Sequence, residues 1–451
     1  MASKNEDTIT KINFSPVHKK LLYITLILYG WAFSICASIR YGFLVDAFSS
    51  REVPGKVYGA MEGSIFIGYA VTFFSGGVER ALKKVNSQFL LAGIVFGFAL
   101  TSLLTGVVYL IKDNTTVIVL SVILRVTQGT LSYSGSLVSV DYLSAQMPEQ
   151  FDAVNGLLNM GYFTGHGIAE SVGCLIYDRF GYVGPFIFSS SLGFFTFIVI
   201  MMVIPRSPSY LSTQDELDRE CELEGAMKLD SYATNVTKLI FIPLTATMII
   251  NINYGVLQVM VTPFLQNEFG KSISYGGGVL TFVSVGMAVG SISAGMLLQK
   301  KILNPFTVMA IGSLCVVTGL LLTFPPDSLP GLHNLAPITA IPGVFLAGIG
   351  DPLVSISSLR ALYNLQLQKT GILMPKTATL ITGIWLLAYA AFYYSGSTLA
   401  GVLTDYLTYS EVASILAGFS MLAVLISGFC RATLKDKADK SFADESTSLL
   451  G

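Results

Sequence analysis

The chain has 451 residues, of which 52% are hydrophobic and 12% are charged, and its mean hydropathy is +0.65. A soluble protein of this length carries roughly twice that charged fraction, so the composition excludes a soluble protein and indicates one that crosses a membrane many times. The net charge of −1 excludes no class of partner, because in membrane proteins the side on which charges lie matters more than their sum.

Apolar runs, taken in chain order, predict twelve transmembrane helices. The first run, Leu21 to Ile39, has 19 residues without a charge, so we expect it to span the membrane rather than be cleaved as a signal peptide. An even number of spans places both termini on one side. The predicted spans are 21–43, 57–76, 88–111, 117–143, 152–177, 185–204, 238–262, 275–298, 305–324, 337–361, 377–402 and 411–429.

The distribution of lysine and arginine predicts the orientation of the spans. Of the 27 basic residues, 19 lie on the side of the termini, 5 on the opposite side and 3 within spans. This asymmetry predicts that both termini are cytoplasmic. The sequon Asn114-Thr115-Thr116 then lies on the non-cytoplasmic side, where we expect Asn114 to carry a glycan.

The longest loop, 205–237, separates spans six and seven and divides the chain into two halves. We expect a cytoplasmic tail at 1–20, a six-helix bundle at 21–204, this cytoplasmic linker, a second six-helix bundle at 238–429 and a tail at 430–451. The halves echo each other, since span five ends Gly-Cys-Leu-Ile-Tyr-Asp at 173–178 and span eleven ends Gly-Val-Leu-Thr-Asp at 401–405. Parallel repeats of this kind are typical of secondary transporters.

The six-plus-six pattern, a charged turn after span two and the motif Arg125-x-x-Gln128-Gly129 in span four resemble the major facilitator superfamily. The span-four motif is similar to that of its proton-coupled antiporters. Patches at 177–186, 348–351 and 445–450 resemble the vesicular amine transporters, most closely the vesicular polyamine transporter subgroup. The resemblance implies an all-α membrane protein with two pseudo-symmetric six-helix bundles, which exchanges an organic cation for protons by alternating access.

The chain departs from these families at defined positions. The antiporters carry Gly-Pro and Gly-Gly in span five, where this chain has Ala169-Glu170 and Gly173-Cys174. Vesicular amine transporters place acids in spans one and seven, at the positions of Tyr29 and Gln258 here, so only the span-ten acid, Asp351, remains.

Three titratable residues within the spans are the candidates for proton coupling. Arg125 lies roughly 12 Å and Glu170 roughly 10 Å below the luminal ends of adjacent helices, by a rise of 1.5 Å per residue, which predicts an ion pair. His166 lies one helical turn from Glu170, on the same face, and a histidine changes charge at vesicular pH. The alternatives are a static clamp for the pair and a histidine held by a carbonyl.

Polar and aromatic stripes predict a wet substrate path near the middle of the membrane. Asp351 is followed by Pro352, which interrupts the helix locally, as transporter sites often do. The aromatic face of span eleven suits cation–π contacts; the alternative for any one stripe is hydrogen bonding between helices. The predicted substrate-binding residues are Asp351, Tyr29, Ser132, Ser136, Asn251, Tyr254, Gln258, Trp385 and Tyr389.

Further charged residues predict gates and a sorting signal. Arg40 and Glu62 form a luminal gate or extend to the headgroups, and Glu79 with Arg80 ties span two to its neighbours. In the tail, Glu445 lies four residues before Leu449-Leu450, which resembles a dileucine signal read by clathrin adaptors. The tail therefore predicts an endosomal, lysosomal or secretory-vesicle membrane, with the plasma membrane as the alternative.

These features predict a proton-coupled antiporter of a small organic cation. The alternatives are a facilitator or organic-anion carrier that uses Arg40 and Arg125 as counter-ions, and a transporter-like sensor without turnover. An enzyme is not expected, because no nucleophile–base or metal set is visible, and the five cysteines have no metal-binding spacing. The expected partners are a small-molecule substrate, protons, membrane lipids and a clathrin adaptor, with no cofactor and no nucleic acid.

Overall fold

The computed structural model describes residues 16–38, 55–147, 150–205, 233–370, 375–404 and 406–448. These residues are helical with short connections and contain no strand, which confirms the all-α fold. The helices are α1 (Pro16–Ser38), α2 (Gly55–Ser75), α3 (Gly77–Lys84), α4 (Ser87–Val108), α5 (Asn114–Gln146), α6 (Phe151–Phe180), α7 (Val183–Val203), α8 (Ala233–Phe269), α9 (Ile273–Gln299), α10 (Pro305–Thr323), α11 (Pro330–His333), α12 (Ala336–Thr370), α13 (Pro375–Leu403) and α14 (Tyr409–Ser448).

Twelve of these helices are long, and each covers one of the twelve apolar runs. In the described part of the chain, nine of them are long and apolar enough to cross a membrane. The other three are α2, whose apolar stretch is the shorter 63–75, α6 and α13. All three pack across the boundary between the halves, α6 against α9 and α2 against α13. The count of twelve spans therefore stays a prediction.

Local capping explains where several helices begin. The side chain of Asp113 accepts a hydrogen bond from the amide of Thr116 at the start of α5, and Asn304 accepts one from Phe306 at the start of α10. Such caps satisfy amides that have no partner within the helix. At the other end, Gly181 after α6 and Gly270 after α8 have φ values of 68° and 62°, a conformation that favours glycine.

The helices α1–α7 form the N-terminal half and α8–α14 the C-terminal half. The predicted domain boundaries stay a prediction, because most of the linker, 206–232, lies outside the described residues. We call the end of the bundle at which α1 begins the terminal face, and the other end the opposite face. Because α1 begins at the terminal face and successive long helices alternate in direction, α6 and α8 also begin there, and α5, α9 and α12 begin at the opposite face.

The two halves touch closely along α6 and α9. A Cβ atom on Gly156 of α6 would lie 2.7 Å from the carbonyl oxygen of Ser291, and one on Gly295 of α9 would lie 2.7 Å from the carbonyl oxygen of Asp152. Nearer the opposite face, the hydroxyls of Ser171 and Thr281 are 2.8 Å apart. The two helices are therefore antiparallel and in backbone contact, and glycine permits this approach.

The terminal face is closed between the halves. Asp152 at the start of α6 pairs with Arg360 of α12, with 3.6 Å between Oδ2 and Nε. Close to this pair, the rings of Phe151 and Tyr363 have centroids 6.3 Å apart. A single hydrophobic cluster also runs across the boundary at this face, joining residues of α1 and α5 to residues of α12 and α13 such as Leu362.

Candidate functional site

A small cavity lies between the halves, near the middle of the long helices. Its volume is about 40 Å³, enough for roughly three water molecules. The walls come from α1, α2, α5 and α6 of the N-terminal half and from α8 and α13 of the C-terminal half. We call it the tyrosine cavity, because six tyrosines line it: Tyr69, Tyr162, Tyr254, Tyr389, Tyr393 and Tyr394.

Four of the residues that the sequence predicted for the site line this cavity. They are Ser132 and His166 from the N-terminal half and Tyr254 and Tyr389 from the C-terminal half. A fifth, Gln258, is not part of the described lining but contacts two residues that are. Its amide nitrogen lies 2.8 Å from Nε2 of His166 and 2.8 Å from the hydroxyl of Tyr254.

Gln258 is the centre of a hydrogen-bond cluster that joins the halves. The hydroxyl of Tyr393 donates to its Oε1, and the rings of Tyr254 and Tyr393 have centroids 5.3 Å apart. An amide nitrogen can only donate, so in this arrangement a hydrogen bond between the two requires an Nε2 of His166 that carries no proton. His166 is 6% exposed and lies on α6, whereas its partner lies on α8.

Arg125 has a different position, at the wall of the cavity rather than in its lining. The side chain is fully buried and donates from Nη1 to the carbonyl oxygen of Ala37, at 3.1 Å, and to Oε1 of Gln128, at 2.9 Å. Ala37 itself lines the cavity. The arginine therefore fixes the part of α1 that forms this wall, and Gln128, one turn along α5, orients the guanidinium.

The glycine of the same motif permits α5 to approach α2. A Cβ atom on Gly129 would overlap the carbonyl of Ile65, which is also a lining residue. The three defined positions of the motif thus act on two neighbouring helices, because the arginine and glutamine hold α1 and the glycine accommodates α2. The predicted pair between Arg125 and Glu170 stays a prediction, because the side chain of Glu170 lies outside the described residues.

Asp351 lies within the C-terminal half and outside the described lining of the cavity. Its carboxyl group is 2% exposed and accepts a hydrogen bond from Ser355 at 3.2 Å through Oδ1. Its Oδ2 has no hydrogen-bond partner among the described residues. Asp351 is nevertheless close to the cavity, since it interacts electrostatically with the lining residue Tyr389.

The predicted residues Asn251 and Trp385 make hydrogen bonds within the C-terminal half, Asn251 along its own helix and Trp385 to a neighbouring helix. Asn251 donates to the carbonyl of Thr247 at 2.7 Å, and the hydroxyl of Thr247 donates to Ser358 at 2.7 Å. The indole of Trp385 donates to the same Ser358 hydroxyl at 2.9 Å. These contacts join α8, α12 and α13, which is the structural alternative that the sequence left open.

Two further predicted substrate residues lie in the N-terminal half beside the cavity. Tyr29 is 3% exposed, and its ring centroid lies 6.0 Å from that of Phe33. Phe33 in turn packs against the lining residue Tyr162, with centroids 5.4 Å apart. Ser136 is half-buried on α5, one turn beyond Ser132. Neither Tyr29 nor Ser136 is part of the described lining.

The predicted gating, glycosylation and sorting residues lie at the ends of helices. Arg80 donates to the carbonyls of Ser75 and Gly76 and so closes the end of α2. Asn114 is exposed, as the first residue of α5. The remaining predictions are not described in full, since the side chains of Glu62, Glu79 and Glu445 and the whole of Arg40, Leu449 and Leu450 lie outside the described residues.

Sequence reasoning missed several lining residues and one contact between the halves. Tyr162 lies four residues before His166, so the helical stripe that contains His166 and Glu170 already pointed to it. Tyr69 and Tyr394 had no such signal, because single tyrosines in apolar helices are common. Arg360 is one of the three basic residues within the predicted spans, but its partner Asp152 becomes evident only when α6 and α12 are packed together.

Comparison with known proteins identifies the family. The profile of the Major Facilitator Superfamily matches residues 80–374. The chain belongs to the major facilitator superfamily. It is therefore a multi-pass membrane protein with the fold of this superfamily and a transporter, not an enzyme.

The curated relatives agree with this assignment. The chain is similar to the MFS-type transporter SLC18B1 of Mus musculus, with 22% identity over 419 residues, which is 89% of this chain and 86% of the relative. It is also similar to the MFS-type transporter SLC18B1 of Rattus norvegicus, with 25% identity over 228 residues, which is 49% of this chain and 45% of that relative.

Proposed function

We propose that the chain exchanges a small organic cation for protons by alternating access, with the tyrosine cavity as its binding site. The observation that carries the proposal is the composition of the cavity, in which six tyrosines surround His166 at the boundary of the two halves. Aromatic faces attract cations, and a histidine gains or loses a proton in the pH range of acidic vesicles. A proton and a cationic substrate would therefore compete for one small space.

The small volume of the cavity supports an occluded state in this arrangement. About 40 Å³ is too little for an organic amine, so the cavity must widen when substrate enters. The closed terminal face implies that it widens toward the opposite face, by separation of the halves. Rocking of one half against the other about a midplane site is the mechanism that internal repeats favour.

The described contacts of Arg125 favour a role in the cavity wall over that of a counter-ion for an organic anion. They are with Ala37 and Gln128, whereas Arg40, the other counter-ion of that alternative, lies outside the described residues. A facilitator is the other alternative for a transporter, and it predicts transport that does not depend on a pH gradient. A polyamine fits the proposed class, because each of its ammonium groups can contact a different ring.

We further propose that the protein resides in an acidic organelle, with both termini in the cytoplasm, a glycan at Asn114 and the tail from Glu445 to Leu450 as its sorting signal. Such a location would supply the proton gradient. Replacement of Leu449 and Leu450 by alanine is expected to move the protein to the cell surface. Residence of that double variant in the parental compartment would reject the tail as the signal.

Transport by the purified protein in proteoliposomes tests the proposal. Vesicles with an internal pH of about 5.5 and an external pH of about 7.5 span the range in which histidine titrates. Radiolabelled spermidine, tetraethylammonium and p-aminohippurate are offered, with and without collapse of the gradient by an ionophore. We expect gradient-driven accumulation of at least one cation and none of the anion. Accumulation of the anion, or cation uptake that is indifferent to the gradient, would reject the proposal.

A further inference from the structure

Gln258 contacts the one histidine of the tyrosine cavity across the boundary between the halves. The amide nitrogen of Gln258 serves two acceptors, Nε2 of His166 and the hydroxyl of Tyr254, while its oxygen accepts from Tyr393. The bonds of Gln258 to Tyr254 and from Tyr393 thus have defined donors and acceptors. The direction of the bond to His166 depends on whether Nε2 carries a proton.

Protonation of His166 places two hydrogen-bond donors opposite each other in this arrangement. The imidazolium has a proton on both ring nitrogens, so Nε2 becomes a donor that points at the amide donor of Gln258. Rotation of the amide by half a turn brings Oε1 to His166 and restores a bond. The same rotation presents the oxygen to Tyr254 and the NH₂ group to Tyr393, so both phenols must exchange donor and acceptor roles.

We propose that Gln258 is a positioning residue that transmits the protonation state of His166 from the N-terminal half to α8 and α13 of the C-terminal half. The inference depends on the proposed proton coupling and adds the route by which the proton acts on the binding site. A single proton on α6 changes the hydrogen bonds of two cavity tyrosines at once. The binding site for the cation and the contact between the halves therefore respond together.

The surroundings of His166 define which other groups respond to pH. The helices α1 and α9, which pack along α6, present uncharged side chains at this level: Trp31, Ser34, Thr281 and Ser284. Two charged groups are placed by other contacts, Arg125 behind Ala37 and Asp351 in electrostatic range of Tyr389. On α6 itself Glu170 follows one turn later, with a side chain outside the described residues. Among the described residues, the six tyrosines are the titratable groups that line the cavity together with His166.

The tautomer of His166 is the first test, and it requires no substrate. The chain has three histidines, so ¹⁵N-histidine labelling in lipid nanodiscs yields few signals, and His166→Gln assigns the relevant one. We expect the neutral form to carry its proton on Nδ1, and we expect Gln258→Met to remove this preference. A wild-type protein with the proton on Nε2 would overturn the inference.

Transport of radiolabelled tetraethylammonium and spermidine provides the second test. Gln258→Met removes the amide nitrogen and oxygen but nearly keeps the volume, so we expect gradient-driven accumulation to fall about tenfold or more. Gln258→Glu places a carboxylate beside the imidazolium, so the midpoint of the pH profile should rise by about one pH unit. A purely structural role would not move that midpoint.

Asn253→Met is the matched control, since this buried amide lies on the same helix but donates to Ser420 of α14, away from the cavity. We expect its pH profile to match that of the wild type. If wild-type transport follows the gradient and both Gln258 variants keep the normal profile, the inference fails alone. If wild-type transport ignores the gradient, the proposed function fails as well, and the two outcomes are thereby distinguished.

Discussion

At the scale of single residues, buried charges in this protein are held by short-range contacts that assign them different tasks. Arg125 is fully buried and is oriented by a carbonyl of α1 and by Gln128. Asp351 keeps one carboxylate oxygen without a described partner beside the cavity, and a buried acceptor of this kind is costly unless a proton or a cation reaches it. The guanidinium therefore shapes the wall of the cavity, whereas the carboxyl group of Asp351 has one oxygen without a described hydrogen bond.

Arg125→Lys tests the role of the guanidinium as a fixed clamp. Lysine keeps the charge but lacks the planar fork, so it cannot hold Ala37 and Gln128 in the same geometry. Loss of one charge-assisted hydrogen bond costs about 1.5–3 kcal/mol, so transport should fall about ten- to a hundredfold. The measurement is initial uptake of labelled cation at equal surface expression. Uptake at the wild-type rate would mean that only the charge matters.

Asp351→Asn tests the buried carboxyl group of α12, which interacts electrostatically with Tyr389. The amide retains the shape and still accepts from Ser355, so we expect a folded protein with normal elution in size-exclusion chromatography. Cation transport should fall about tenfold, because the substrate loses a nearby counter-charge. Ser355→Ala is the control, since it removes the hydrogen bond to Oδ1 but keeps the carboxyl group. Unchanged cation transport in Asp351→Asn would remove this residue from the substrate path.

At the scale of secondary-structure elements, the helix pair α6–α9 determines how closely the halves meet. Its glycines allow backbone contact near the terminal face, and a hydroxyl pair follows nearer the opposite face. Among the helices that border the cavity, α5 begins at a side-chain cap, Asp113. The contact between α6 and α9 is the interface that the proposed alternating access would have to open and close.

Gly295→Ala tests the close contact of α6 and α9. The added methyl group would press on the carbonyl of Asp152, and overpacking of this kind costs about 1–3 kcal/mol. We expect the closed state to lose population by about fivefold to a hundredfold, measured by the distance between spin labels on the two halves. Gly93→Ala on α4 has open space around its Cβ and should change nothing. Equal distance distributions for both variants would contradict the prediction.

Asp113→Ala tests the cap of α5 and its dependence on pH. Hydrogen bonds from the hydroxyl and then the amide of Thr116 hold the pKa of the Asp113 carboxyl below its usual value. A lowered pKa means that the cap contributes above the unfolded value and is lost only below the folded one, so acidification from about pH 7 to about pH 5 should leave it intact. Hydrogen exchange at Thr116 should rise about fivefold in the variant at both pH values. A wild-type cap that weakens by pH 5 would contradict this.

At the scale of the whole molecule, the described residues close the terminal face between the halves, and the central cavity has a volume of about 40 Å³. The closure combines the pair of Asp152 and Arg360 with a hydrophobic cluster that joins both halves. The carboxylate also lies in the first turn of α6, where the helix dipole favours a negative charge. Among the described residues, this ion pair and this hydrophobic cluster therefore hold the halves together at the terminal face.

Asp152→Asn tests the ion pair between the halves. Arg360 is 35% exposed, so we assign the pair only about 1 kcal/mol, which corresponds to about a fivefold increase in opening of the terminal face. A cysteine placed at Leu362, which is 1% exposed, should then react about fivefold faster with a charged maleimide applied from that side. Arg360→Lys keeps the charge and should retain slow labelling. Identical rates in all variants would show that the apolar cluster alone closes this face.

The sequence by itself determined the class of the protein. Helices in a membrane satisfy their own backbone groups, so long apolar runs are sufficient to predict them, and an arginine that cannot lose its proton marks a buried polar region. The family comparison confirmed this fold and a transport role. The prediction of Ser132, His166, Tyr254 and Tyr389 as site residues followed from helical periodicity, because one face of a helix recurs every three to four residues.

Only the tertiary structure decided which polar faces meet. Asn251 and Trp385 have the same periodicity as Tyr254 and Tyr389, yet they bind Thr247 and Ser358 within the C-terminal half. Rotation and tilt of each helix decide this, and they depend on packing against neighbours that are distant in sequence. For the same reason the contact of Gln258 with His166, 92 residues apart, could not be derived from either span alone.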